Sequence, residues 1–254
     1  MKSATLGILG GLGPASGVYF AQMLVEHTQA DCDQEHLNFL LSSRAETPDR
    51  TEYILGRTEN DPSRVMISEV ERLASAGANA IAIPCNTAHY FYDRIAEAST
   101  VPILNIIDLC VEFCQSIGAK TIGILATEGT IFSGAYKKVC DKFGISYLTC
   151  TEAQQAIVSR IIYDEIKRGR EPDITALTEV IRDLTDRGAD AVVLGCTELS
   201  LLKKKISGNL PLIDSLEVLA LCAIRLCGKE PIGFDPSLMN FNSLKGSYLC
   251  YSKN

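Results

Sequence analysis

Asn79-Ala80-Ile81-Ala82-Ile83-Pro84-Cys85-Asn86 returns later in the chain as Asp190-Ala191-Val192-Val193-Leu194-Gly195-Cys196-Thr197. Each stretch is a short, apolar, β-prone run that ends in a cysteine and then in cap-type polar residues. That pattern reads as a buried parallel strand handing over to a helix. The segments before them match too: Arg72-Leu73 through Gly77-Ala78 corresponds to Asp183-Leu184 through Gly188-Ala189, at the offset that separates the two cysteines.

Further out, Thr121-Ile122-Gly123-Ile124-Leu125 echoes Thr5-Leu6-Gly7-Ile8-Leu9. A strand led by proline follows each cysteine, Val101-Pro102-Ile103-Leu104-Asn105 and Leu210-Pro211-Leu212-Ile213-Asp214. Strands alternating with amphipathic segments, as in Asn38–Ser42 followed by Ser63–Ala76, specify parallel sheets covered by helices. A solenoid needs at least three short repeats, whereas two long ones make paired lobes. The fold class expected is α/β, with two pseudo-symmetric parallel-sheet domains and the site in the cleft between them. The boundaries are expected near Pro102 and Asp214: residues 1–101 with 214–254 form the lobe of Cys85, and 102–213 the lobe of Cys196.

At 254 residues and 46% hydrophobic content, the chain can bury a sizeable core. A net charge of −7 lacks the concentrated basic face of a nucleic-acid binder, so no nucleic-acid partner is expected. Lys203-Lys204-Lys205 reads as a solvated helix end. Glycines at 7, 10, 11 and 13 interrupt the apolar start, and no stretch has the length of a membrane span. A cytosolic protein without a membrane partner is expected. In that compartment the ten cysteines should be reduced, and Cys110/Cys114 and Cys222/Cys227 fall in apolar helical stretches as packing. No zinc-type spacing is present, so no metal is expected.

Cys85 and Cys196 sit where open parallel sheets bind ligands, beyond the strands' carboxyl ends. One buried cysteine there is ordinarily a small hydrophobe. Two at equivalent places in duplicated halves point to chemistry. Inverting a carbon centre needs a base on one face and an acid on the other, and a thiolate–thiol pair supplies both. Each cysteine precedes a helix N-terminus, where N–H groups and the helix dipole are expected to lower a thiol's pKa. Asn86, Thr87 and Thr197 could hold a carboxylate there. Thr127 and Thr130 read as substrate donors or helix caps, and His89 as a packing residue.

At these residues the sequence resembles the aspartate/glutamate racemase family. The resemblance rests on Gly10-Gly11-Leu12-Gly13-Pro14, Pro84-Cys85-Asn86-Thr87-Ala88-His89, Leu125-Ala126-Thr127-Glu128-Gly129-Thr130 and Gly195-Cys196-Thr197-Glu198-Leu199, and it reaches to about Cys227. It implies a homodimeric enzyme without cofactor, acting on a small amino acid, with Cys85 and Cys196 as the catalytic pair. Glutamate racemases typically carry His where Glu198 stands, which favours the aspartate branch; glutamate or a broader range of amino acids is the alternative. Related decarboxylases and isomerases often lack one thiol. Pro48-Asp49-Arg50-Thr51 looks like the segment whose arginine serves the substrate's carboxylates, and Ile161–Lys167 like the one that supplies a lysine. Gly11, Arg50, Asn86, Thr87, Thr127, Lys167, Thr197 and Glu198 are the substrate-binding candidates. Where the family usually has Asn-Pro, this chain has Arg44-Ala45; Arg44 could add a cation for a dicarboxylate.

Two other readings compete. Gly11-x-Gly13 after the first strand resembles a phosphate-binding turn, and with Arg44 as a 2′-phosphate partner it suggests an NADP-dependent oxidoreductase. The second half lacks that glycine pattern. A non-catalytic dicarboxylate-binding protein would use the same cleft. After Gly228 the periodicity fades, and Tyr248, Leu249 and Tyr251 read as a packed strand or an interface arm.

Overall fold

The computed structural model describes residues 4–206 and 211–242. Tyr248, Leu249 and Tyr251 lie outside them. The first half runs β1 (Thr5–Gly10), α1 (Pro14–Glu26), β2 (Asn38–Ser43), α2 (Arg50–Ile54), α3 (Ser63–Ser75), β3 (Ala80–Ala82), α4 (Tyr92–Ala98), β4 (Ile103–Leu104) and α5 (Ile106–Ser116). The second runs β5 (Thr121–Leu125), α6 (Glu128–Phe132), α7 (Ala135–Phe143), β6 (Ser146–Thr149), α8 (Glu152–Arg160), α9 (Ile174–Asp186), β7 (Ala191–Leu194), α10 (Thr197–Ser200), β8 (Leu212–Asp214) and α11 (Ser215–Leu226). The short α12 (Pro236–Met239) follows.

The strands form two parallel four-stranded sheets, ordered β2-β1-β3-β4 and β6-β5-β7-β8. The registers repeat: Gly7 pairs with Ile81 as Gly123 pairs with Val192. β1, β3, β5 and β7 are almost wholly buried because helices cover both faces, which is why they read as continuous apolar runs. Each fully buried Leu or Ile in them contributes about 1.5–3 kcal/mol.

The helices that follow the last strand of each half cross over. α5 packs on α7 and β8, and α11 packs on α1, α10 and α5. One apolar core therefore joins β1 and β5 through α1, α5, α7 and α11. Two smaller cores lie on the outer faces, one including Cys85 and the other Cys196. The same capping geometry starts both crossing helices: Asn105 Oδ1 accepts from the Ile107 and Asp108 N–H groups, and Asp214 Oδ1 from the Leu216 N–H. The crossing is the physical ground for proposing lobe boundaries near Pro102 and Asp214.

Cys110, Cys114 and Cys222 are fully buried packing residues, and Cys227 is buried at the end of α11. Lys203-Lys204-Lys205 forms a 3-10 turn, but Lys203 is not simply solvated: its ammonium pairs with Glu217 at 2.5 Å. After Gly228 the chain runs back along the end of α1, where Ile232 N–H donates to the His27 carbonyl and Phe234 stacks on the His27 ring. Among the described residues, no helix is long and apolar enough to cross a membrane.

Candidate active site

The carboxyl ends of both sheets open on one narrow cleft of about 280 Å³, lined by Cys85, Cys196, Arg50, Asn86, Thr87, Thr127, Lys167, Thr197 and Glu198. Every substrate candidate from the sequence except Gly11 faces it. Leu12, Asp49, Thr51 and Tyr163 complete the lining. Sequence reasoning missed these four as site residues. Thr51 and Tyr163 are joined across the cleft by a 2.8 Å hydrogen bond from the Tyr163 hydroxyl. Tyr163 lies in a π-helical turn, Ile161–Glu165, that re-aims the end of α8, and such turns recur at functional sites. The Lys167 ammonium sits 4.3 Å above the centre of the Tyr163 ring.

Both thiols are buried, Cys85 at 6% exposure and Cys196 at 5%. The Cys196 thiol donates to Glu198 Oε2 at 3.1 Å, and Lys167 lies 4.0 Å from Glu198 Oε1. Burial pushes the Cys196 thiol well up, the Glu198 carboxylate pushes it further, and Lys167 pulls the other way. Burial also raises Cys85, but the nearby Arg50 guanidinium opposes it, helped by the Ala88 N–H and Lys167. This corrects the expectation that helix termini lower both thiols. The backbone N–H groups do act in that direction, but α10 is only one turn, a 3-10 turn (Thr87–Phe91) follows Cys85, and desolvation outweighs both.

The residues after each cysteine do not cap with their side chains. They fasten the two halves of the chain together. Asn86 Nδ2 donates to Ser215 Oγ at 3.0 Å while Asn86 Oδ1 accepts from the Tyr136 hydroxyl at 2.8 Å. Thr197 Oγ1 donates to the Pro84 carbonyl at 3.1 Å. The hydroxyls of Thr87, Thr127 and Thr130 form a closed triangle of 2.8–2.9 Å bonds. Thr127 also caps α6 through the Thr130 N–H. His89 lies behind the cleft: its Nε2 accepts from the Ile106 N–H, so Nδ1 carries the proton given to the Cys85 carbonyl, and burial lowers its pKa.

Arg50 is 6% exposed and is held by three neutral acceptors, the carbonyls of Thr47, Pro48 and Leu12, at 3.2, 2.9 and 2.7 Å. Its Nε has no hydrogen-bond partner, and it has no carboxylate partner among the described residues. A buried guanidinium compensated only by carbonyl dipoles is suited to an anionic ligand. Arg44 does not reach the cleft. It pairs with Glu69 at 3.0 Å and Glu46 at 2.8 Å on the outer side of its loop, so it adds no cation to the cleft.

Gly11 stands outside the cleft wall and has a positive φ of 85°; a Cβ there would lie 2.4 Å from the Arg44 N, so glycine lets the two loops touch. A Cβ on Gly13 would lie 2.4 Å from Glu198 Oε1. A carboxylate thus occupies the start of α1, where a dinucleotide phosphate would have to sit, and it would repel one. That contact and the pairing of Arg44 remove the geometric basis of the NADP reading.

Fold and site together define a two-lobed α/β protein that brings one thiol from each half into a shared polar cleft. The chain belongs to the Asp/Glu/hydantoin racemase family, whose profile matches residues 9–223. It is 30% identical over 220 residues to the broad-specificity amino-acid racemase RacX of Bacillus subtilis, covering 85% of this chain and 94% of that one. It is 31% identical over 159 residues to the glutamate racemase of Persephonella marina, covering 59% of this chain and 58% of that one. The solved aspartate racemase of Picrophilus torridus superposes with a TM-score of 0.76 at 30% identity, over 90% of this chain and 96% of that one. The protein is thus a racemase of the Asp/Glu type, an isomerase class that works without pyridoxal phosphate.

Proposed function

We propose that the chain racemises an acidic α-amino acid, aspartate first, by passing one proton in and one proton out through Cys85 and Cys196. The observation that carries this reading is the shared cleft, with a thiol from each half and, on its wall, the Arg50 guanidinium, which has no carboxylate partner among the described residues.

The electrostatics give the two thiols different resting tendencies. Cys196 is held as a thiol by the Glu198 carboxylate, ready to donate. Burial and Glu198 raise Cys85 too, but Arg50 and Lys167 oppose them, so of the two thiols it is the less strongly held in its protonated form. Cys85 then takes the α-proton from one face while Cys196 delivers its own to the other, and the roles reverse for the other enantiomer. A substrate carboxylate on Arg50 keeps the α-carbon in place and receives charge as the carbanion forms. Lys167 serves a second carboxylate, and Glu198 the ammonium. Water exclusion from so small a cleft strengthens each of these contacts. The reading includes a homodimer, as the family resemblance implies, and a cytosolic location.

A second reading, a racemase of broader specificity, is favoured by a wide mouth adjoining the cleft. Chiral chromatography of each enantiomer across a panel of acidic and neutral amino acids tests both. Interconversion of aspartate is expected. Turnover of neutral amino acids with none of any acidic one would overturn the assignment.

A further inference from the structure

Beside the cleft lies a larger open cavity of about 990 Å³ whose wall includes Asp49, Arg50, Lys167 and Glu198, the charged residues that also line the cleft. The two spaces are therefore neighbours that share these four side chains as a wall. Beyond those, the mouth is walled by small or short residues, Gly13, Ala15, Ala45 and Thr47, with Ile166 as its one large apolar side chain.

We infer that this mouth receives the part of the substrate lying beyond the position of an aspartate β-carboxylate, so that longer acidic side chains are accepted, with Ala45 setting the length limit. The inference rests on the proposed acidic amino-acid racemase and names the substrate class of that same site. The narrow cleft between the thiols is then left to the α-carbon and its immediate substituents. A side chain whose carboxylate is served by Lys167 runs along the wall that cleft and mouth share. Ile166 offers apolar surface to added methylenes, and Lys167, with 26% of its side chain exposed, can follow a distal carboxylate outward.

Ala45 is fixed by its neighbours, which makes it a usable limit. The backbone of Arg44 rests against Gly11, and its side chain is tied to Glu69. The Arg44 carbonyl accepts from both the N–H and the hydroxyl of Thr47, at 3.2 and 2.7 Å. Ala45 is exposed at the rim of the mouth, so a leucine there adds bulk to a loop that is held on both sides.

The test uses the homologous acids aspartate, glutamate and 2-aminoadipate, each one methylene longer than the last, with the intact chain and its Ala45→Leu variant. Racemisation is measured by chiral chromatography and binding by calorimetry. The intact chain should racemise all three. Ala45→Leu should lower the 2-aminoadipate to aspartate ratio of kcat/KM, and of binding, by about tenfold or more, the scale of a blocked methylene site. Racemisation of aspartate alone, or an equal loss for all three acids in the variant, would overturn the inference and leave the racemase reading standing. Binding of the three acids with the expected dependence on position 45, but without turnover, would support the mouth and sink the two-thiol reading instead. Failure to bind any of the longer acids would overturn the inference whatever the turnover.

Discussion

The Cys196 thiol donates a 3.1 Å hydrogen bond to the Glu198 carboxylate two residues on, in the first turn of α10. That contact makes the two halves chemically unequal: both thiols feel Glu198 and Lys167, but only Cys196 hydrogen-bonds the carboxylate and only Cys85 has Arg50 opposing its burial. The backbone is duplicated, but the charges around the thiols are not.

Glu198→Gln separates charge from hydrogen bonding, since glutamine still offers an acceptor. Removing the negative charge lets the Cys196 pKa fall, so the thiol that should donate ionises at lower pH. Burial, the larger cause, remains, so the alkaline limb of the pH profile of kcat/KM is expected to move to lower pH with the loss of activity confined to the alkaline side. An unchanged profile would remove Glu198 from the account.

Gly13→Ala tests the same carboxylate from across the cleft. The backbone of Gly13, at φ −99°, suits alanine, but the new Cβ would fall 2.4 Å from Glu198 Oε1. Glu198 must shift from this position, which disturbs its hydrogen bond with Cys196. Stability measured by urea denaturation should change by only about 1 kcal/mol. Racemisation should fall at least tenfold, by analogy with the loss of a positioned catalytic proton.

Arg50→Lys keeps the charge and loses the fork that three carbonyls hold. A point charge without that fixed geometry binds a carboxylate less well. KM for aspartate should rise by roughly a hundredfold, the cost of about 3 kcal/mol for a charge-assisted bidentate contact. Steady-state kinetics with KM unaltered would place the substrate carboxylate elsewhere.

Much of this fold was legible because a duplicated sequence reports itself. The match of Asp190–Thr197 to Asn79–Asn86 located the equivalent strands and the two thiols without any knowledge of the packing. The polar network was not legible. Asn86, Thr87 and Thr197 read as local caps because capping is a short-range habit, whereas their partners Ser215, Thr127 and Pro84 lie 129, 40 and 113 residues away. Tyr163 entered the site through a π-helical turn, which no hydrophobic periodicity announces. In sequence Arg44 stands where an extra cation could serve a dicarboxylate, but the buried Glu69 of α3 pairs with it on the outer side of the loop.

Asp214 offers a test of the crossing helix. It is 2% exposed, its Oδ2 has no partner, and burial with the nearby Glu217 pushes it up from 3.8 to about 6. A carboxyl raised in the folded state keeps its proton there at pH values where the unfolded chain has lost it. Its contribution is therefore fully present below pH 3.8 and is lost as pH rises through about 6. That loss is roughly 3 kcal/mol for a shift of about two pH units. Asp214→Asn, with the cap that Asn105 already demonstrates on α5, should remove this dependence. Urea denaturation at pH 4 and pH 7 should show the slope in the intact chain and a flatter response in the variant; equal slopes would contradict the assignment.

The two-thiol mechanism is tested most directly by α-deuterium incorporation from D₂O into L- and D-aspartate with Cys85→Ala and Cys196→Ala. Neither variant should interconvert the enantiomers, yet each should retain wash-in of deuterium for one enantiomer, and the two variants should favour opposite ones, because the surviving thiol faces only one side of the α-carbon. Racemisation persisting in either variant, or both variants labelling the same enantiomer, would contradict the mechanism.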